Sequence, residues 1–176
     1  MFTTVAVILV VVIVAILAYA AMQPNSFRIE RSTSIKAAPD KVYALIEDFH
    51  RWNLWSPWEK LDPALSRSFS GNEHGVGAVY AWEGNRKVGK GRMEIKEASP
   101  PGRLIIQLDF FQPFEAHNTA EFILTPRGDS TDVTWAMHGA SPFMVKLMGL
   151  AFSMDKMVGK DFEKGLAAMK AQAEGS

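Results

Sequence analysis

Between residues 27 and 140, apolar and polar residues alternate with a period of two in a series of short segments. Phe27 to Ile35 is rich in β-branched residues and interleaves them with Arg28, Glu30 and Ser32, which predicts a half-buried strand. Ala38-Pro39-Asp40 then opens a short helix running to about Asp48, with Val42, Leu45, Ile46 and Phe49 on one face. Ser66 to Gly71 predicts a short strand. In Ala78 to Glu83, Ala78, Tyr80 and Trp82 alternate with Val79 and Ala81, and Gly84-Asn85 reads as a turn. Val88 to Ala98 sets Lys90, Arg92, Glu94 and Lys96 on one face and Gly91, Met93 and Ile95 on the other. Ser99-Pro100-Pro101-Gly102 turns the chain again. Three further strands carry inward sets Leu104, Ile106, Leu108, Phe110, then Ala120, Phe122, Leu124 within Ala116 to Thr125, and finally Val133, Trp135, Met137. The last two are separated by the turn Pro126-Arg127-Gly128-Asp129. Strands at this spacing, joined by turns, make an antiparallel meander.

The period then changes. From Ser141 to Glu174 the apolar residues fall at helical spacing: Leu147, Leu150 and Ala151, Met154, Met157 and Val158, Phe162, Leu166, Met169. Lys146, Lys156, Lys160 and Lys164 fall on the opposite side, and Ser141-Pro142 marks the start. Unbroken, this would be a rod of roughly 50 Å at 1.5 Å per residue. Gly149 and Gly159 allow it to bend. So one-sided a helix needs an apolar surface to lie on. A sheet of six to seven strands must twist and curl, and its concave side supplies that surface. The fold class is α+β, a curved antiparallel sheet around a long C-terminal helix.

The first segment differs from the rest. Val5 to Met22 carries no charge over a length of roughly 27 Å, just enough to cross a bilayer's hydrocarbon core. Residues 1–22 fit a single-pass transmembrane anchor. They also fit a cleaved signal peptide, since Ala18-Tyr19-Ala20 has the small-x-small form. The uncharged start and the length of the run favour the anchor. Residues 23–26 are a short tether, and 27–174 form one domain held close to the bilayer. Arg28, Arg31 and Lys36 after the span favour a cytoplasmic domain by the positive-inside rule.

Lys+Arg and Asp+Glu are equal at 19 each, so nothing in the charge points to nucleic acid. There is no cysteine, hence no disulfide framework and no thiol chemistry. His50, His74, His117 and His138 lack companions at metal-ligand spacing, no phosphate-binding loop or nucleophile elbow is present, and no cofactor is implied.

The order of elements resembles the helix-grip fold of the START/Bet v 1-like (SRPBCC) superfamily. The resemblance rests on 35–43 (Ile-Lys-Ala-Ala-Pro-Asp-Lys-Val-Tyr), on Asp48-Phe49-His50-Arg51-Trp52 with Trp55-Ser56-Pro57-Trp58, on Gly128 to Trp135, and on Gly159 to Lys170. Together these look like membrane-anchored members of the polyketide cyclase/dehydrase and lipid transport group. The resemblance implies a cavity between sheet and helix that takes a hydrophobic small molecule or lipid. It also leaves open a cyclase/aromatase-like enzyme, or an interaction module with a filled core.

The candidate pocket lining follows from the inward positions: Tyr80, Trp82, Met93, Leu108, Phe110, Phe122, Trp135 and Met137 from the sheet, with Met154, Met157 and Val158 from the helix. Gly91 and Ala120 are small enough to leave space there. Trp52, Trp55 and Trp58 are three of the chain's five tryptophans in an irregular stretch that Pro57 keeps from continuing as a helix. They read either as a plug over one end of the core or as an aromatic rim to a pocket. Asp161 falls inside the apolar stripe, where a carboxylate needs a hydrogen-bond partner, such as an indole N–H, or else orients a ligand. For acid–base chemistry the candidates are Asp161, Tyr43, Tyr80 and His138.

Overall fold

A computed structural model describes residues 2–175. Seven antiparallel strands form one sheet: β1 (Ser26–Ile35), β2 (Ser66–Gly71), β3 (Ala78–Glu83), β4 (Lys90–Ser99), β5 (Arg103–Gln112), β6 (Ala116–Arg127) and β7 (Ser130–Ala140). Their order is β1-β7-β6-β5-β4-β3-β2, so the first strand closes against the last while β2 to β7 run as a meander. Register shifts between β4 and β5, at Lys90/Gly91 and at Ile95/Glu97, bend the sheet. The alternation seen in the sequence is the alternation of faces. Gly91, Met93 and Ile95 of β4 are buried, while Glu94 sits outside between Arg92 (2.7 Å) and Lys96 (2.8 Å).

The helices are α1 (Phe2–Met22), α2 (Pro39–Ile46), α3 (Phe143–Gly149) and α4 (Met154–Gly175), with a 3-10 turn at Phe49–Leu54. The C-terminal stretch is therefore not one rod: it breaks over residues 150–153. Leu150 and Ala151, expected on the inward stripe, are exposed. The long helix is α4. Its buried positions Phe162, Leu166, Met169 and Ala173 keep the helical spacing, and they lie across the concave face beside β1. Burying each of the three large side chains is worth about 1.5–3 kcal/mol. Polar links fix the helix along β1: Arg31 donates to Asp155 (3.0 Å) and Glu163 (2.8 Å), Lys170 to the Ser34 carbonyl (2.9 Å), and the Lys36 amide to Glu174 (2.8 Å). A Cβ on Gly159 would collide with the Arg31 guanidinium, so glycine there lets the arginine cross the helix.

The core runs from Ile29 and Phe27 through to Ala173 and takes nothing from α1. Residues 23 onward thus hold their own hydrophobic centre. Helix α1 has mean hydropathy 3.1 and is apolar enough to cross a membrane; its single buried residue is Ala20, in the last turn.

Candidate functional site

The tryptophan segment follows from the end of α2. A helix leaves its last carbonyls without intrahelical partners. Here the Trp55 indole donates to the Leu45 carbonyl (2.8 Å) and the Trp52 indole to the Ile46 carbonyl (3.0 Å). Both rings are thereby pinned inside the sheet. Around them runs an unbroken aromatic assembly. Trp135 stacks on Phe162 of α4 at 4.1 Å and 7° and on Phe122 at 5.1 Å, with Trp55 and Trp58 meeting its edge at 5.3 and 5.6 Å. The Trp135 Nε1 is the one buried side-chain polar atom without a partner among the described residues. An unpaired buried donor costs about 1–3 kcal/mol.

Of the residues expected to line a pocket, Trp52, Trp55, Tyr80, Trp82, Met93, Leu108, Phe122, Trp135 and Met137 are buried, whereas Trp58, Phe110, Met154 and Val158 are half-buried. Where Trp135 meets Phe162, sheet and helix are in direct contact. Gly91 opens no void either, because the Trp82 indole of the neighbouring strand occupies the space a side chain there would take. Met157 turns outward and is 63% exposed, since it lies on the α4 face opposite Phe162. Asp161 is half-buried and accepts from Lys164 one turn on, at 3.1 Å, instead of from an indole. Tyr43 donates to the Arg103 carbonyl (3.3 Å), and burial with the nearby Glu47 pushes its phenol up to about 12. His138 lies away from the aromatic interior, in a broad groove of about 620 Å³ with Asn25 to Arg28, Gly139 and Ala140.

A second groove, of about 390 Å³, lies between the 3-10 turn and β2, lined by Phe49, His50, Asn53, Glu59, Arg67 and Phe69. It brings polar chemistry to the edge of the aromatic interior. The Glu59 side chain is only 7% exposed. It accepts from Tyr80 Oη at 2.6 Å and from Arg67 Nε at 2.7 Å. Arg67 also donates to the carbonyls of Leu65 (3.1 Å) and Glu59 (3.0 Å), which fixes its plane. Burial, and then the bond to Glu59, raise the Tyr80 phenol well above its ordinary value, so it remains a neutral donor. The apolar wall is equally ordered: His50 stacks on Phe69 at 4.1 Å, Phe69 on Tyr80 at 5.2 Å, and Phe49 meets Trp52 edge-on at 5.3 Å. His50 is itself held by Asp48, ring to carboxylate 3.0 Å. The groove is thus a rigid aromatic wall with one carboxylate, one guanidinium and one phenol at its inner end. Of the residues singled out in the sequence, only Tyr80 belongs to this network, and it lies behind the lining. Glu59 falls in a stretch with no periodicity and Arg67 in the short strand β2, and nothing in the sequence pairs them.

A curved seven-stranded antiparallel sheet gripping a C-terminal helix, with an aromatic interior between them, is a helix-grip domain. Residues 26–174 match the family described as polyketide cyclase / dehydrase and lipid transport, and the chain belongs to that family. No curated protein matches it. Among solved structures it is similar to protein CV1439 from Chromobacterium violaceum, with 16% identity and TM-score 0.60 over 86% of this chain and 99% of that one. It is also similar to the Aha1 dimer from Colwellia psychrerythraea, with 18% identity and TM-score 0.58 over 84% and 96%. A third is the di-domain ARO/CYC BexL from the BE-7585A biosynthetic pathway, with 14% identity and TM-score 0.63 over 89% of this chain and 53% of that one. At these identities the likeness is one of fold.

Proposed function

We propose that the protein is a membrane-anchored binding domain for a hydrophobic small molecule that carries a polar end. The observation that carries this reading is the groove of about 390 Å³ whose aromatic wall leads to the Glu59–Arg67–Tyr80 network. Apolar walls with a few fixed polar groups suit such a ligand. Its apolar body packs against Phe49, Phe69 and the His50 ring. Its carbonyl or hydroxyl end meets Asn53 and the outer edge of Arg67. Because Arg67 is already held in place, little ordering cost falls on binding. The family, which includes lipid-transport and polyketide-cyclising domains by its description, supports the same ligand class. Helix α1 would anchor the domain beside the bilayer where such molecules partition, and the basic residues after it favour the cytoplasmic side.

The test is a fluorescence titration of residues 23–176 with 1-aminoanthracene, an uncharged aromatic probe. Saturable binding with loss of tryptophan emission is expected, weakened at least about tenfold in Phe69→Asp, equivalent to about 1.4 kcal/mol. Equal binding by both proteins, or none by either, would count against the groove.

The 2.6 Å bond between Tyr80 and Glu59 favours a second reading, cyclase-type catalysis. A phenol and a carboxylate in contact beside a bound polyketone are groups able to move its protons. In that case Glu59→Gln abolishes product formation from a polyketone while probe binding survives.

A further inference from the structure

Outside α1, the large apolar side chains left open to solvent are unevenly placed. The strand register divides the sheet into two rims. Ser26 pairs with Ala140, Asn118 with Gly139, Phe110 with Ala116, and Lys90 with Gln112. The start of β1, the end of β7, the β5–β6 hairpin and the start of β4 therefore share one rim. That rim is also where α1 leaves the domain, since only residues 23–25 separate the two. Three residues span at most about 10 Å. On this rim Phe111 (45% exposed) and Phe114 (70%) stand in the β5–β6 hairpin. Phe143 (44%), Met144 (63%) and Met148 (49%) stand on α3, and Phe152 (66%) just after it. The loops of the opposite rim (36–38, 72–77, 100–102 and 128–129) expose one large hydrophobic side chain among the described residues, Val76.

Helix α3 is fixed to the tether. The Ser141 amide donates to the Asn25 carbonyl (2.8 Å), and Lys146 Nζ donates to Asn25 Oδ1 (2.6 Å). The helix also packs beside α1. Lys146 is the buried residue of α3, so Met144 and Met148 occupy the other side, with Phe143 at the helix start. Large apolar side chains left open on one rim mark a contact surface. A patch joined rigidly to the end of a membrane-spanning helix sits at the level of the headgroups.

We propose that this rim is a second membrane contact. Helix α3 and the β5–β6 hairpin insert their apolar side chains into the interface of the bilayer that α1 crosses, holding the domain in one orientation. The surface is amphipathic in the required sense. Arg86 and Lys87, exposed on the β3–β4 turn of the same rim, suit anionic headgroups. The proposal rests on the reading of α1 as a membrane span.

The chain has no cysteine, so a single introduced thiol is labelled uniquely. Full-length Met144→Cys, Phe114→Cys and Val76→Cys are labelled with the environment-sensitive fluorophore NBD. Each is reconstituted into 3:1 phosphatidylcholine–phosphatidylglycerol liposomes, with and without doxyl-labelled lipid. Blue-shifted emission quenched by doxyl lipid is expected at positions 144 and 114, with water-like emission at 76. Water-like emission at 144 and 114 in chains that still float with the liposomes would overturn the rim contact and leave the anchor standing. Blue-shifted emission that doxyl lipid does not quench would overturn it in favour of a second copy covering the patch. Chains that fail to float would overturn anchor and rim together.

Discussion

Phe162→Ala asks whether helix α4 is seated on a filled interior. Phe162 is 2% exposed, lies flat on Trp135 at 4.1 Å, and meets Trp58 edge-on at 6.1 Å. Truncation removes that surface and leaves a hole. The neighbours have little freedom to close it. Trp135 is held in the sheet by its strand pairing and is braced by Phe122 and Trp55 on its other sides. A buried Phe→Ala change of this kind costs about 3–5 kcal/mol. For a domain near this size each kcal/mol lowers Tm by about 2–4 °C, so the expected fall is about 6–20 °C. The assay is thermal unfolding of residues 23–176 followed by circular dichroism, with tryptophan emission recorded in parallel. A fall of less than about 3 °C would refute the close seating of α4 on Trp135.

Other outcomes follow from the same geometry. Tyr80→Phe leaves Glu59 with Arg67 but without its phenol donor, and urea unfolding should show a loss of about 1–3 kcal/mol; no loss would mean the 2.6 Å bond is not made in solution. Gly165→Ala would stabilise an ordinary helix by about 0.5–1 kcal/mol. Here the new Cβ stands 2.8 Å from Trp135 Cζ3 and 3.1 Å from Pro57 Cδ. Overpacking costs about 1–3 kcal/mol, so Tm should fall, and a rise would contradict the packing. The pair of exposed His117 and half-buried Asp109, 2.8 Å apart, gives a pH signature. The bond to Asp109 raises the His117 imidazole above its ordinary value, so its contribution is complete below that value and is lost as pH rises through the raised one. For Asp109, burial pushes the carboxyl up but the bonds from His117 and Gln107 outweigh it, leaving it lowered. Its contribution is present above the ordinary carboxylate value and is lost as pH falls through the lowered one. The pair therefore supports the fold most between about pH 4 and 6.5. In Asp109→Asn the imidazole titration followed by NMR should move down, and an unmoved titration would refute the pairing.

The sheet was legible because period-two alternation is a direct consequence of one buried face: every inward set named from the sequence, from Tyr80 to Met137, points into the core. The C-terminal helix was legible over Phe162 to Met169 but was overextended toward Ser141. Two successive helices with apolar faces in different directions give a stripe that looks continuous when counted along the chain, and only tertiary contact separates them. Leu150 falls in that break, whereas Met157 lies in α4 itself, on the face turned away from Phe162. The tryptophan segment announced itself by composition, yet the reason for it, capping the carbonyls of Leu45 and Ile46, needs coordinates. Periodicity tells which side chains face inward and not whether they touch, so the contact of Trp135 with Phe162 was hidden. Glu59 and Arg67 sit 8 residues apart on either side of an irregular loop, and a salt bridge across a loop leaves no pattern to read.

Ligand capture at the Phe49–Phe69 groove is tested most directly by native mass spectrometry of residues 23–176 after incubation with a membrane lipid extract. The account predicts a retained small molecule on the wild-type domain that is absent from Phe69→Asp. A bare protein mass for the wild type, or an adduct kept equally by the variant, would contradict it.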